Sequence, residues 1–204
     1  MKVCEIFASI QGESSLVGIP MVFVRLSGCN LRCSYCDTKY AYTDGDTLSV
    51  EEIIEKVKNF NIKYVEITGG EPLLQPEVYQ LMEELVGEYQ VLLETNGSIS
   101  IEGVNPSVKI ILDIKTPGSG MCDRNYLKNL DLLKEIDEVK FVITDRNDYE
   151  WAKDFISKYK LKVREILFSP VFGALEPEKL VSWIVQDRLN VRLNLQIHKY
   201  ISVR

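Results

Sequence analysis

The chain has 204 residues, a mass of 23.4 kDa and a formal net charge of −6. Its length suits a single domain over residues 1–204 with a sizeable core, and its composition, 46% hydrophobic and 26% charged, excludes disorder. The acidic balance argues against nucleic acid or an anionic membrane as partner. No apolar run is long enough to span a bilayer, and residues 1–14 lack a signal-peptide core, so we expect a cytoplasmic protein.

Apolar, β-rich runs alternate with amphipathic segments along the chain. The predicted strands are 21–27, 63–68, 90–95, 108–114, 139–144, 163–168 and 191–197. The predicted helices are 50–60, 76–88, 125–135, 148–159 and 177–189. Ser49 and Glu52 form a capping box at the first helix, and Pro76 and Pro177 open two later ones. This alternation predicts parallel strands joined by right-handed crossovers.

The alternation fails between the strands 90–95 and 108–114, where NGSISIEGVNPS is too short and turn-rich for a crossover helix. Seven predicted strands and five predicted helices are also too few for a closed eightfold barrel of about 250 residues. We therefore predict an α/β fold: an open partial (β/α) barrel, shortened and with one crossover helix missing. In such a fold the carboxyl ends of the strands carry the chemistry.

Three of the five cysteines, Cys29, Cys33 and Cys36, lie within eight residues directly after the first predicted strand, whereas Cys4 and Cys122 stand alone. In a reducing compartment such clustering indicates metal binding or catalysis. The spacing fits three corners of a [4Fe–4S] cube, whose open fourth position is typical of a catalytic cluster. The alternatives are a coincidence of buried cysteines or a zinc site, but zinc prefers four protein ligands and no further pair follows at finger spacing.

This loop resembles the cluster loop of radical S-adenosylmethionine (SAM) enzymes. The resemblance implies that SAM binds the open iron and that a reductant such as flavodoxin or ferredoxin triggers its cleavage to a 5′-deoxyadenosyl radical. It places Tyr35 against the adenine and Gly70, in GGEP, on the methionyl amino group, where Glu71 can meet an ammonium. It also implies that two later strand ends surround the nucleoside with Asp113, Ile114, Lys115, Ser169, Pro170, Val171 and Phe172. Turn and capping chemistry is the alternative for these segments.

Three further features indicate one family among the radical SAM enzymes. The segment IQGE precedes the first predicted strand, and Arg25 interrupts that apolar strand. A buried arginine needs an anion, and its planar fork suits a carboxylate or a pterin-like edge. Asp37 and Thr38 place hard oxygen ligands, which Mg²⁺ prefers, beside the cysteines. The alternatives are, in order, an N-terminal turn, a structural ion pair and a turn cap.

With GGEPLLQ, ETNG and LQIHKY, these features resemble the 7-carboxy-7-deazaguanine synthase family from residue 10 to residue 200. The resemblance implies a lyase that converts 6-carboxy-5,6,7,8-tetrahydropterin to 7-carboxy-7-deazaguanine and ammonia, on the route to the 7-deazapurines queuosine and archaeosine. It implies Cys29, Cys33 and Cys36 as cluster ligands and Thr38 as a Mg²⁺ ligand. The implied substrate contacts are Ile10, Gln11, Gly12, Glu13, Arg25, Thr68 and His198. A homodimer is expected by analogy alone.

The end of the chain is harder to interpret. Gln196 and His198, the only histidine, alternate on the last predicted strand and would share a face, although a lone histidine is often merely packed. Some members of the family close the substrate pocket with their last residue, whereas this chain continues after LQIHKY as far as Arg204. A glycyl-radical activating enzyme is the alternative function, but it gives no role to QGE, Arg25 or Asp37. An iron–sulfur electron-transfer module would need a fourth cluster ligand.

Overall fold

The computed structural model describes all 204 residues, which fold around one nine-stranded sheet. The strands are β1 (Lys2–Ile10), β2 (Pro20–Leu26), β3 (Asp46–Thr47), β4 (Tyr64–Gly69), β5 (Gln90–Thr95), β6 (Lys109–Ile114), β7 (Glu138–Ile143), β8 (Glu165–Pro170) and β9 (Arg192–Leu193). Their order in the sheet is β3-β1-β2-β4-β5-β6-β7-β8-β9. Apart from β3, the strands therefore stand in the order in which they occur in the chain, as in a barrel wound in one direction.

Six helices connect or flank these strands. They are α1 (Val50–Lys58), α2 (Val78–Leu85), α3 (Asn129–Leu132), α4 (Arg146–Tyr159), α5 (Pro177–Asp187) and α6 (Ile197–Tyr200). The predicted capping box of Ser49 and Glu52 starts α1, and Pro177 is the first residue of α5. None of the helices combines the length and the apolar character needed to cross a bilayer.

The sheet is parallel from β2 through to β9, and β1 runs antiparallel to both β2 and β3. Its two outer strands, β3 and β9, do not pair with each other, so the barrel stays open as predicted. No helix covers residues 96–108 between β5 and β6, which confirms the missing crossover helix.

Two predicted elements were wrong in extent or type, and strands β1 and β3 were not predicted. Strand β1 was not predicted because KVCEIFASI is only half-buried and shows no clear alternation. The predicted helix 125–135 shrinks to α3, because the backbone is extended at Asn125 and at Leu133 and the Asn125 side chain is bonded to the backbone of Lys115. The predicted strand 191–197 ends at Leu193 and is followed by α6, because β9 is the last strand of the sheet and the chain turns towards Gly12.

The strands divide their side chains between two faces. The outer face packs against the helices in a core of 34 buried residues. The inner face begins with a small apolar base of Met21, Phe23, Leu92 and Ile111. Two residues further along the same strands stand Arg25, Glu94 and Asp113. The inside of the open barrel is therefore apolar at the base and charged towards the carboxyl ends of the strands.

Candidate active site

A cavity of about 310 Å³ opens over this charged layer. It is lined by the three clustered cysteines, by Thr38 and by every residue predicted to contact the substrate. The residues predicted to contact SAM also line it, with the exception of Ile114. That side chain lies in the outer core and is 2% exposed, so a contact between Ile114 and SAM would have to involve its backbone.

The cysteine loop follows β2 and is fastened to the body of the protein along its length. The Gly28 amide donates to the carbonyl of Ala41 (2.8 Å), and Ser34 donates through its amide to Ser119 (3.0 Å) and through its hydroxyl to the carbonyl of Gly118 (2.7 Å). All three cysteines are free thiols and half-buried. These bonds hold the thiols at the rim of the cavity.

The chemistry of the three thiol donors suits an iron–sulfur cluster. A structural zinc site takes four protein ligands, whereas each cysteine of a [4Fe–4S] cube binds a different iron. Burial raises the pKa of the Cys33 thiol, and metal binding would stabilise its thiolate. The donor set therefore fits three corners of a cube.

The end of β4 lies directly on the cysteine loop, and two glycines make this approach feasible. A Cβ at Gly70 would stand 2.0 Å from the carbonyl oxygen of Gly28 and 2.9 Å from Cys29 Cβ. Gly69 has a φ of +141°, and its own Cβ would meet the Leu26 carbonyl oxygen at 2.1 Å. Only glycine fits at either position, so GGEP brings bare backbone beside the cluster loop.

Glu71 does not face the cavity, and its predicted contact with an ammonium is wrong. It is fully buried, and its carboxylate accepts from the Leu73 amide (3.0 Å), the Thr95 hydroxyl (2.8 Å) and the Asn96 amide (2.7 Å). These bonds satisfy the carboxylate within the protein. Glu71 instead joins the end of β4 to the ETNG turn after β5.

Two buried polar atoms indicate a ligand in the half of the cavity that contains the cysteine loop. The Tyr35 hydroxyl and Asp113 Oδ1 are the buried side-chain atoms that lack any hydrogen-bond partner. An unsatisfied buried group costs about 1–3 kcal/mol, which a polar ligand would recover. Asp113 Oδ2 bonds Lys115 Nζ at 2.8 Å, and burial raises the pKa of Tyr35, so its hydroxyl stays protonated. One free acceptor and one free donor suit a nucleoside.

The end of β8 completes this half. Ser169 Oγ accepts from Asn194 Nδ2 at 2.8 Å, and Pro170 and Val171 follow it along the rim. Phe172 is 48% exposed and meets the edge of Tyr200 with the ring centroids 5.3 Å apart. The β8 end therefore offers a hydroxyl and an accessible aromatic ring.

The opposite half is built from the loop after β1 and the end of the chain. Glu13 accepts from Lys140 Nζ (3.2 Å) and Gln196 Nε2 (2.9 Å). The Ile197 amide donates to the carbonyl of Gly12 at 2.9 Å, and a Cβ at Gly12 would lie 1.9 Å from His198 Nδ1. His198 thus lines the cavity from helix α6, not from the predicted strand. We call residues 5–13 with residues 194–204 the seam.

Arg25 takes part in an ion pair and still has donors to spare. Its Nε donates to Glu5 Oε1 at 2.8 Å, and Glu5 also accepts from Tyr40 Oη (3.0 Å) and from Arg204. The structural ion pair considered from the sequence is therefore present. Neither Nη atom of Arg25 has a protein partner, although the residue lines the cavity. Both Nη atoms can meet an anionic ligand.

Asp37 and Thr38 differ in how far the protein already uses them. Asp37 Oδ2 accepts from Gln196 Nε2 (3.2 Å) and Lys199 Nζ. Burial would raise the pKa of Asp37, but the hydrogen bond and charge of Lys199 hold it well below its usual range. Thr38 donates to Asp37 Oδ1 at 2.9 Å, so its oxygen keeps a lone pair for a cation. Of the two, Thr38 fits Mg²⁺ better.

Sequence reasoning missed several charged residues in the cavity. Thr68 Oγ1 donates to Glu94 at 3.2 Å, and Glu94 also pairs with Lys140, which is buried between Glu94 and Glu13. Glu66 stands beside them. Glu66, Glu94 and Lys140 each place a charge in an apolar strand, as Arg25 does. The segments VEIT, LLET and VKFV therefore carried the same signal in the sequence.

The fold and the cysteine loop define a class, and comparison with known proteins agrees. The Radical SAM superfamily model matches residues 23–167. The chain is 46% identical to the 7-carboxy-7-deazaguanine synthase of Chlorobaculum tepidum, over 98% of this chain and 94% of that one. It is 44% identical to the enzyme of the same name from Koribacter versatilis, over 98% and 96%. The chain belongs to the 7-carboxy-7-deazaguanine synthase family of radical SAM enzymes.

Solved structures support the fold independently. The crystal structure of QueE from Escherichia coli aligns with 95% of this chain and 92% of its own length, with a TM-score of 0.77 and 22% identity. Streptococcus suis SuiB bound to S-adenosylmethionine aligns with 85% of this chain and 45% of its own, with a TM-score of 0.57 and 14% identity. At these identities the likeness concerns the fold, which confirms the predicted open partial barrel.

Proposed function

We propose that the protein converts 6-carboxy-5,6,7,8-tetrahydropterin to 7-carboxy-7-deazaguanine and ammonia, with residues 1–204 acting as one domain. One observation carries the proposal. A single cavity joins a three-cysteine loop and two buried polar atoms without a hydrogen-bond partner on one wall to Arg25 and a dense set of carboxylates on the other. The first wall, which we call the cofactor wall, suits SAM. The second, which we call the substrate wall, suits a small, polar, carboxylated heterocycle.

A [4Fe–4S] cluster with SAM would supply a 5′-deoxyadenosyl radical that abstracts a hydrogen atom from the substrate. The residues of this chain bind and orient. Cys29, Cys33 and Cys36 would hold the cluster. SAM would be contacted by Tyr35, Gly70, Asp113 to Lys115 and Ser169 to Phe172. The Asp113 Oδ1 atom and the Tyr35 hydroxyl would then gain the hydrogen-bond partners that they lack in the protein.

The seam and the charged layer would hold the pterin. The free Nη atoms of Arg25 would bind its carboxylate as a planar fork. Thr68, His198 and the segment from Ile10 to Glu13 would contact the rings. Thr38 would be the protein ligand of a Mg²⁺ that keeps water and substrate oxygens in its other positions. A carboxylate fixed between Arg25 and Mg²⁺ would keep the substrate close to the radical source.

The remaining parts of the proposal concern the surroundings of the enzyme. We include flavodoxin or ferredoxin as reductant, a homodimer as assembly, and the cytoplasm as compartment. A glycyl-radical activating enzyme is not favoured, because the relatives matched along the whole chain carry another name. Such an enzyme would also leave Arg25 and Glu13 in the cavity without a purpose.

The test is an anaerobic assay of the reconstituted enzyme with 6-carboxytetrahydropterin, SAM, Mg²⁺ and a reductant. We expect 7-carboxy-7-deazaguanine and ammonia in equal amounts. Reactions without SAM and with tetrahydropterin lacking the carboxylate are the controls. SAM cleavage without any deazaguanine product would contradict the proposal, and tight binding of a glycine-containing peptide would support the activating enzyme.

A further inference from the structure

Glu66 lies at the centre of the charged layer and none of the roles above uses it. It stands on the inner face of β4, is 3% exposed and lines the cavity. Its Oε2 accepts from the Gln11 side-chain amide, which is its one side-chain hydrogen bond. Oε1 has no partner in the protein, so one oxygen of a buried carboxyl faces the ligand space.

Glu66 has no cationic partner of its own, because the lysine beside it pairs with other carboxylates. The groups that face it are Glu13 in the loop after β1, Glu94 on β5, Lys140 on β7 and the Gln11 amide. Lys140 pairs with Glu13 (3.2 Å) and with Glu94, and no salt bridge reaches Glu66. Lys140 also lies 3.9 Å from Asp113 Oδ2, so three other carboxylates already surround this one lysine. Burial and the two like charges of Glu94 and Glu13 act against the ionisation of Glu66.

The titration behaviour of the cluster agrees with this geometry. Burial and the charges of Glu94 and Glu13 raise the pKa of Glu66 well above its ordinary value, although Lys140 and Gln11 oppose them. Burial also acts on Glu94, but Lys140 and Thr68 hold the pKa of Glu94 below the ordinary value. The pKa values of the two glutamates thus shift in opposite directions, because Lys140 bonds Glu94 directly and reaches Glu66 through its charge alone.

We propose that Glu66 is a neutral carboxylic acid that donates a hydrogen bond from Oε1 to an acceptor atom of the bound heterocycle. This inference rests on the proposed function. A 2-amino-4-oxopyrimidine ring has N–H donors, whose hydrogen bonds the oxygens of Glu13 and Glu94 can accept, beside a carbonyl oxygen and a ring nitrogen, which need a donor. A neutral Glu66 provides that donor within an otherwise acceptor-rich layer.

The direction of the pH dependence follows from this role. Below the raised pKa, Glu66 carries its proton and donates. Above it, the donor is lost and a third negative charge joins Glu13 and Glu94. Substrate affinity should therefore fall as the pH rises, while the affinity for SAM on the other wall stays constant.

The experiment measures anaerobic binding of 6-carboxytetrahydropterin to the cluster-loaded enzyme with SAM by calorimetry, from mildly acidic to alkaline pH. Glu66→Gln keeps a donor and an acceptor, so we expect neutral-pH affinity within about threefold of wild type and a flat pH profile. Glu66→Leu should weaken binding about 10- to 100-fold. Glu55→Gln, on the solvent face of α1, is the matched control and should keep the wild-type profile.

Two results would overturn the inference. One is a Glu66→Gln variant that binds as weakly as Glu66→Leu, because the carboxylate would then be an acceptor. The other is a wild-type affinity that does not fall at alkaline pH. If the wild-type enzyme binds and converts the pterin under either result, the proposed function still holds. If the wild-type enzyme neither binds nor converts the pterin, both the proposed function and the role of Glu66 are contradicted.

Discussion

The two walls of the cavity are assembled in different ways. On the cofactor wall, the cysteine loop and GGEP follow the neighbouring strands β2 and β4, and the two loops meet through backbone at Gly69 and Gly70. Asp113 stands on β6, with only β5 between it and β4. On the substrate wall, the seam joins Glu13 to Gln196 and Ser9 to Arg204 across nearly the whole chain. The sheet order alone fixes the first wall, whereas the second depends on side-chain charges and on where the end of the chain docks.

This difference suggests a division of labour. The cofactor wall leaves two polar atoms free for a ligand and otherwise satisfies its own groups. The substrate wall concentrates charges that can recognise one particular molecule. Substitutions on the first wall should therefore abolish radical chemistry altogether, and substitutions on the second should change substrate binding while SAM cleavage continues.

The largest effect is expected at the cluster loop. Cys29→Ala, Cys33→Ala and Cys36→Ala should each remove the [4Fe–4S] absorption and all turnover, because the other two cysteines do not line the cavity. Cys4→Ala and Cys122→Ala are the controls and should leave both unchanged. Iron content and the ultraviolet–visible spectrum after reconstitution decide the matter, and a lost cluster in either control would refute the assignment.

The next effect concerns Arg25. Arg25→Lys should weaken binding of the carboxylated pterin about 10- to 100-fold, since an ammonium cannot donate as a fork while still reaching Glu5. Arg164→Lys changes a comparable but exposed pair with Glu135 and should have no effect. Calorimetry measures the affinity of each variant for the pterin and, separately, for SAM. Equal pterin affinity in a folded Arg25→Lys variant would reduce Arg25 to its ion pair.

A smaller effect tests the closure of the seam. Gly12→Ala should raise KM for the pterin about tenfold, because the added methyl collides with His198 and pushes α6 outward. Gly87→Ala has open space around it and is the control. In a His198→Ala background the Gly12→Ala substitution should cost less, which a double-mutant cycle measures. Independent effects of the two substitutions would show that the docking of α6 does not matter.

The smallest effect is expected at Thr38. Thr38→Ala should lower the Mg²⁺ stimulation of turnover about three- to tenfold with the cluster intact, and Thr38→Ser should lower it less. Thr43→Ala, whose hydroxyl also bonds a neighbouring aspartate, is the control outside the cavity. Full activity of EDTA-treated enzyme without divalent metal would exclude the site.

The cofactor wall was largely predictable from the sequence, because continuous apolar runs gave the buried parallel strands and local motifs marked their ends. Strands β2, β4 and β5 through β8 lie within about two residues of their predicted bounds. Glu71 was misjudged, since its partners Thr95 and Asn96 come from the next strand of the sheet. Such a contact depends on strand order and loop course, which no local motif specifies.

The seam was much less predictable. Strand β1 is half-buried and shows no clear alternation, and α6 lies where a strand was expected. Gln11, Glu13 and His198 were predicted through family resemblance, whereas Glu5 and Arg204 had no local signal. Their importance arises only when the two ends of the chain meet, and long-range pairing of charges is what sequence patterns describe least.

The open gap between β9 and β3 also has a consequence for synthesis. A nascent chain that ends after β8 already contains the parallel strands from β2 to β8, the cysteine loop and the GGEP turn. It lacks Gln196, His198 and the helix that docks on Gly12. The residues that would hold the cluster therefore leave the ribosome before the C-terminal half of the seam, and only the complete chain can hold the pterin.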